Sequence, residues 1–87
     1  MDKQNKEFGE LLKLLRKQQG LNQKELADKL YVSASAVSKW ENGKNLPDLI
    51  MLKKLTEILQ ISYDNLLCPE EALKKLKASG KQSSEAD

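Results

Sequence analysis

The chain has 87 residues, 39% of them hydrophobic and 32% charged, with a formal net charge of +2 at pH 7, which suits one small domain with a compact core. With no histidine and a single cysteine, Cys68, it lacks the raw material for a metal site, an intrachain disulfide or histidine-based acid/base catalysis, so no metal, no cofactor and no enzymatic role are expected. No run of about 18 apolar residues and no secretory-type apolar stretch near Met1 is present, so no membrane span and a cytoplasmic location are expected.

In chain order, Phe8, Leu11, Leu12 and Leu15 follow the i, i+3, i+4, i+7 rule and predict a core-facing first helix over residues 7–19, ended by Gly20. Asn22 then reads as an N-cap, with Glu25 as its capping-box partner and Leu21 stapled to Leu26. This predicts a second helix over residues 23–30, with Leu26, Ala27 and Leu30 turned inward. Eleven residues later the pattern returns: Ser33 is the cap, Val32 is stapled to Val37, and a third helix runs from residue 34 to about 42. Gly43 supplies the left-handed residue that closes it. Helices of about two turns are unstable alone in water, so both need packing partners.

Asp48, after Pro47, caps a fourth helix lined by Leu52, Leu55, Ile58 and Leu59. Ile61, Ser62 and Leu66 repeat the staple pattern for a short fifth. From Pro69 to Lys77, proline and acids lead and lysines follow, an order that suits the helix dipole and predicts a sixth helix. Leu73 and Leu76 on it face either the core or a partner. The stretch 80–87 is small and polar and reads as a disordered tail. No segment alternates as a strand would. The fold class is therefore all-α, with a domain over residues 1–67, an additional C-terminal helix over 68–79 and the tail over 80–87.

Charge is unevenly placed. Residues 13–44 sum to +4, while the segments before and after each sum to −1. A basic excess on the paired short helices is the footprint expected of a phosphate-backbone ligand. The third helix adds a second cue. Beyond Val37 and Trp40 it carries almost nothing for a core to bury, and its outward residues are Ala34, Ser35, Ser38 and Lys39. Small side chains let a helix approach a surface closely, and the DNA major groove, about 12 Å wide, admits a helix. There alanine can touch a thymine methyl, serine can bond a base or a phosphate, and lysine can reach guanine or a phosphate.

Residues 21–27 (LNQKELA), Val32-Ser33, residues 37–44 (VSKWENGK), residues 46–48 (LPD) and Leu52 together resemble the Cro/C1-type helix-turn-helix family of phage repressors and xenobiotic-response-element-type bacterial regulators. The resemblance covers roughly residues 8–67. It implies a five-helix, lambda-repressor-like DNA-binding domain, the sixth helix being an addition, that acts as a transcriptional regulator, most often a repressor. The implied partner is double-stranded DNA, usually a near-palindromic operator bound by a homodimer. Position by position, Ala34, Ser35, Ser38 and Lys39 match base-reading or flanking positions. Gln23, Asn42 and Lys44 match phosphate-binding ones.

One departure stands out. Where the family most often has glycine before the Val-Ser of the turn, this chain has Tyr31; either the turn geometry differs or packing of the ring offsets a strain of about 1 kcal/mol. Other residues have more ordinary readings. Trp40 is expected in the core, Ser33 as a cap, and Glu41 either repels phosphate or joins a polar network. Lys13, Arg16, Lys17 and Lys29 are solvated charges or phosphate contacts, and Cys68 is an inert thiol. The competing function is a protein-interaction module, such as an antitoxin or co-regulator.

Overall fold

The structure, a computed structural model, describes residues 3–86. Six helices and no strand lie among them: α1 Lys3–Gln18, α2 Gln23–Leu30, α3 Ala34–Glu41, α4 Leu49–Leu59, α5 Tyr63–Leu67 and α6 Pro69–Ala86. The caps are where the residue chemistry puts them. Asn22 Oδ1 accepts from Glu25 N at 2.7 Å while Glu25 Oε1 accepts from Asn22 N at 2.9 Å, so the capping box is closed both ways. Ser33, Asp48 and Ser62 accept in the same manner from the backbone N–H three residues on, at 3.1, 2.8 and 3.2 Å.

Two boundaries differ from the expected ones. α1 begins at Lys3, about a turn before the apolar pattern starts, because periodicity marks only the part of a helix that meets the core. α6 continues as helical backbone through Ala86, over most of the stretch read as a tail; residue 87 is outside the described residues.

The core is one cluster that gathers all six helices. Leu11, Leu12, Leu26, Leu30, Val37, Leu55 and Leu66 are fully buried, with Phe8, Leu15, Trp40 and Leu59 beside them. From α6, Ala72 and Leu73 are buried and Leu76 packs on their edge, which answers the question left open by their sequence: they close the domain's own core. α1 is the hub. It packs against α3 on one side and α6 on another, while α2 packs against both α3 and α4.

Candidate nucleic-acid interface

How α3 is held decides what it can present. Its inner face is short of side chains, Val37 and Trp40 alone being buried, so backbone contact must do part of the holding. Gly9 of α1 supplies it. A Cβ at Gly9 would fall 2.6 Å from the Trp40 carbonyl oxygen and closer still to that of Glu41, so only a residue without a side chain lets α1 cross the C-terminal end of α3 at this distance. Gly43 does the same just beyond the helix: it sits at φ 74, and an added Cβ would stand 3.1 Å from Lys6 Cα. No motif in the sequence marks Gly9. Its signal was a glycine inside an otherwise good helix, where it costs about 1 kcal/mol against alanine and so implies a packing reason.

Beside that crossing lies a polar clasp. Arg16 Nε donates to Glu41 Oε2 at 2.6 Å, Nη2 to Glu41 Oε1 at 3.2 Å and Nη1 to the Leu21 carbonyl at 2.8 Å. The side chains of Arg16 and Glu41 are only 9% and 3% exposed. The pair therefore ties α1, the loop before α2 and the last residue of α3 in a geometry that satisfies the charges it buries. Of the two readings of each residue, Glu41 takes the polar network, and Arg16 is neither a solvated charge nor open to a phosphate. Gln23 joins the same clasp, its Nε2 donating to Glu41 Oε1 at 3.0 Å. One amide hydrogen remains beyond that bond.

The link between α2 and α3 keeps the left-handed residue the family pattern calls for, although it is a tyrosine. Tyr31 has φ 59 and ψ 42, its N–H bonds the Asp28 carbonyl and the Val32 N–H bonds that of Ala27, which closes the end of α2. The ring does not pack into the domain. It is 89% exposed, with Lys54 Nζ 5.9 Å from its centroid.

The outer face of α3 is the complement of this tightly held inner one. Ala34, Ser38 and Asn42 follow at i, i+4 and i+8, and Ser35 with Lys39 forms the adjacent row, so the five share one face. Ala34, Ser35, Lys39 and Asn42 are exposed and Ser38 is half-buried. Asn42 Nδ2 donates to Ser38 Oγ at 3.3 Å, coupling the second half of the first row. Lys44 follows in the loop, exposed. Gln23 reaches this neighbourhood through Glu41. All seven sequence-selected residues thus belong to α3, to the loop that leaves it or to the clasp at its end. No carboxylate lies on the outer rows themselves: Glu41, the one acid of α3, is turned inward and paired.

A helix-turn-helix family model matches residues 12–66, the span from the middle of α1 to α5. A transcriptional activator of Enterococcus faecalis, BcrR, is 43% identical over 67 residues, 77% of this chain and 33% of its own length. RghR, a transcriptional repressor of Bacillus subtilis, is 43% identical over 61 residues, 69% of this chain and 45% of its own. The chain therefore spans between a third and about half of the length of these two relatives. Among solved structures, the restriction-modification controller protein C.AhdI of Aeromonas hydrophila superimposes with a TM-score of 0.66 at 32% identity, over 71% of this chain and 94% of that one. The clp gene regulator ClgR of Corynebacterium glutamicum shares the fold, with a TM-score of 0.73 at 21% identity, over 98% of this chain and 90% of its own.

Proposed function

The chain belongs to the helix-turn-helix family, and from that premise we propose that it regulates transcription as a homodimer, binding a near-palindromic DNA operator. In this reading α3 enters the major groove. Ala34, Ser35, Ser38 and Lys39 meet base edges, while Gln23, Asn42 and Lys44 hold flanking phosphates. The observation that carries it is the contrast within α3: an inner side locked by Gly9 and the Arg16–Glu41 pair, and an outer side of small and cationic residues with no acid on it. Arg16 offsets the charge of Glu41, so Gln23 lies beside a neutralised carboxylate and keeps an N–H for a phosphate oxygen. Repression is the proposed sign, since occupying an operator excludes polymerase and needs no additional contact. The proposed setting is the cytoplasm; no helix among the described residues is long and apolar enough to cross a membrane.

The test is quantitative binding to duplexes selected from a random library and to unselected duplexes, across a range of salt. Affinity for the selected duplex should fall steeply with salt, because each neutralised phosphate releases counterions. Lys39→Ala should lower affinity for the selected duplex most and alter site preference. Gln23→Ala should lower affinity for every duplex alike. Equal losses from both variants on both duplexes would defeat the division of labour, and absence of binding at low salt would defeat the function.

A further inference from the structure

The charges in the first half of α1 are sorted between the two elements that flank it. On one side the stem of Lys6 runs along Gly43, where an added Cβ would stand 3.1 Å from Lys6 Cα and 3.2 Å from its Cγ. Only two methylenes separate that Cγ from the ammonium. The exposed Lys6 side chain is therefore held beside the loop that carries Asn42 and Lys44, both exposed, on either side of Gly43. On the other side the two acids of α1 are engaged with α6 and the turn that leads into it. Glu10, at i+4 from Lys6, is its natural ion-pair partner within the helix. Glu10 Oε2 lies instead 2.8 Å from Lys77 Nζ of α6. Glu7 lines a hollow with residues 67–71, at the junction of α5 and α6. Among the described residues no carboxylate pairs with Lys6, Lys39 or Lys44.

We propose that Lys6 is a further phosphate-binding residue, next to Asn42 and Lys44, and that α6 keeps it available by holding Glu10 through Lys77. The inference rests on the operator-binding reading above and extends its footprint from α3 and the following loop onto α1. A lysine that serves only solubility needs no fixed base. With its stem laid on Gly43, the Lys6 ammonium searches a smaller volume than a free side chain would and loses less entropy on meeting a phosphate oxygen. The ligand is a phosphodiester rather than a base edge, because Gly43 lies beyond the last residue of α3, among the positions that hold the backbone. Glu10 would cancel this contact. Paired with Lys6, it would present no net charge to a duplex, and the pair would have to break before a phosphate could bind. Lys77 prevents that from a different element. An exposed pair of this kind adds little to stability, so its consequence lies in which lysine Glu10 neutralises. Residues 1–12 sum to −1, and the division appears only in the structure, which turns the lysine to the α3 loop and ties Glu10 to α6.

The test is binding of the full chain to a selected and an unselected duplex across a range of salt. Lys6→Gln keeps the stem that lies on Gly43 and removes the charge. It should lower affinity for both duplexes alike, by about fivefold to tenfold near 0.1 M salt, and make log affinity against log salt shallower by about 0.9, the share of one phosphate. Lys6→Arg should recover both. Lys77→Ala hands Glu10 back to Lys6 and should cost about twofold, the worth of an i,i+4 pair, beyond the loss from Lys74→Ala. The latter removes the same charge from the same helix, but its partner is Glu70. In the Lys6→Gln background the two α6 variants should become equal, since the competition then has no object. An unchanged salt slope in Lys6→Gln overturns the phosphate contact. Equal losses from Lys77→Ala and Lys74→Ala with Lys6 present overturn the part played by α6. Either result leaves the operator reading standing, whereas an unaltered chain that binds no duplex at low salt removes that reading and this inference with it.

Discussion

The two sides of α3 are built on opposite rules. On the inner side α1 approaches so closely that Gly9 has no room for a methyl group, and Arg16 and Glu41 are buried together; on the outer side Ala34, Ser35 and Lys39 stand free in solvent. A helix of eight residues has too little apolar surface to be fixed by burial, since only Val37 and Trp40 serve. Backbone approach and one paired charge make up the difference. The lesson is a division of tasks: substitutions inside should change stability, substitutions outside should change binding, and crossovers would show that the division is wrong.

The largest effect should come from halving the clasp. Glu41→Ala leaves the Arg16 guanidinium buried without its carboxylate, a change that costs about 3–5 kcal/mol; urea denaturation would read it directly. The double substitution Arg16→Met with Glu41→Leu removes both charges and should recover most of that loss. If it does not, the clasp holds the helices together through geometry that apolar packing cannot replace. Next comes Gly9→Ala, whose methyl group meets two carbonyl oxygens of α3. Overpacking of this kind costs about 1–3 kcal/mol, here expected near the top of that range because both obstacles are backbone. An unchanged denaturation midpoint would mean that α1 and α3 slide apart easily, and the inner side would no longer count as rigid.

The outer side is tested by what does not change. Ser35→Ala and Lys39→Ala should each leave stability within about 0.5 kcal/mol, as surface substitutions usually do. In the same samples Lys39→Ala should cost about 1–3 kcal/mol of binding on a selected duplex, the range of one good base contact. Both measurements on one preparation make the comparison sharp.

Much of this was readable in the chain, and the exceptions share a cause. Asn22, Ser33, Asp48 and Ser62 announce their helices because capping involves residues three apart, a distance at which local chemistry is decisive. The same is true of the two rows on α3. Arg16 and Glu41 are 25 residues apart, so nothing local distinguishes that arginine from its lysine neighbours. Gly9 and the end of α3 meet only through tertiary packing. The apolar pattern of α4 correctly turned Leu55 and Leu59 inward, but Leu49 and Ile50 are exposed because, among the described residues, no element covers their side chains in the first turn of α4. That is a property of the assembled fold, which periodicity does not contain.

The smallest expected effect concerns the hinge between the two short helices. Tyr31 at φ 59 and Gln60 at φ 56 both end helices in the left-handed region without being glycine. Relief of that strain is worth about 1 kcal/mol, less a part lost to the greater freedom of glycine in the unfolded chain. Gln60→Gly should therefore stabilise, by about 0.5 kcal/mol, and Tyr31→Gly by less. They should not do so equally. Tyr31 gives up its contact with Lys54, worth about 0.5 kcal/mol at an exposed site, so its gain should be the smaller of the two. A Tyr31→Gly gain equal to that of Gln60→Gly would mean the ring contributes nothing. A net loss would mean that the aromatic contact, rather than backbone preference, holds the turn and hence the angle at which α3 faces outward.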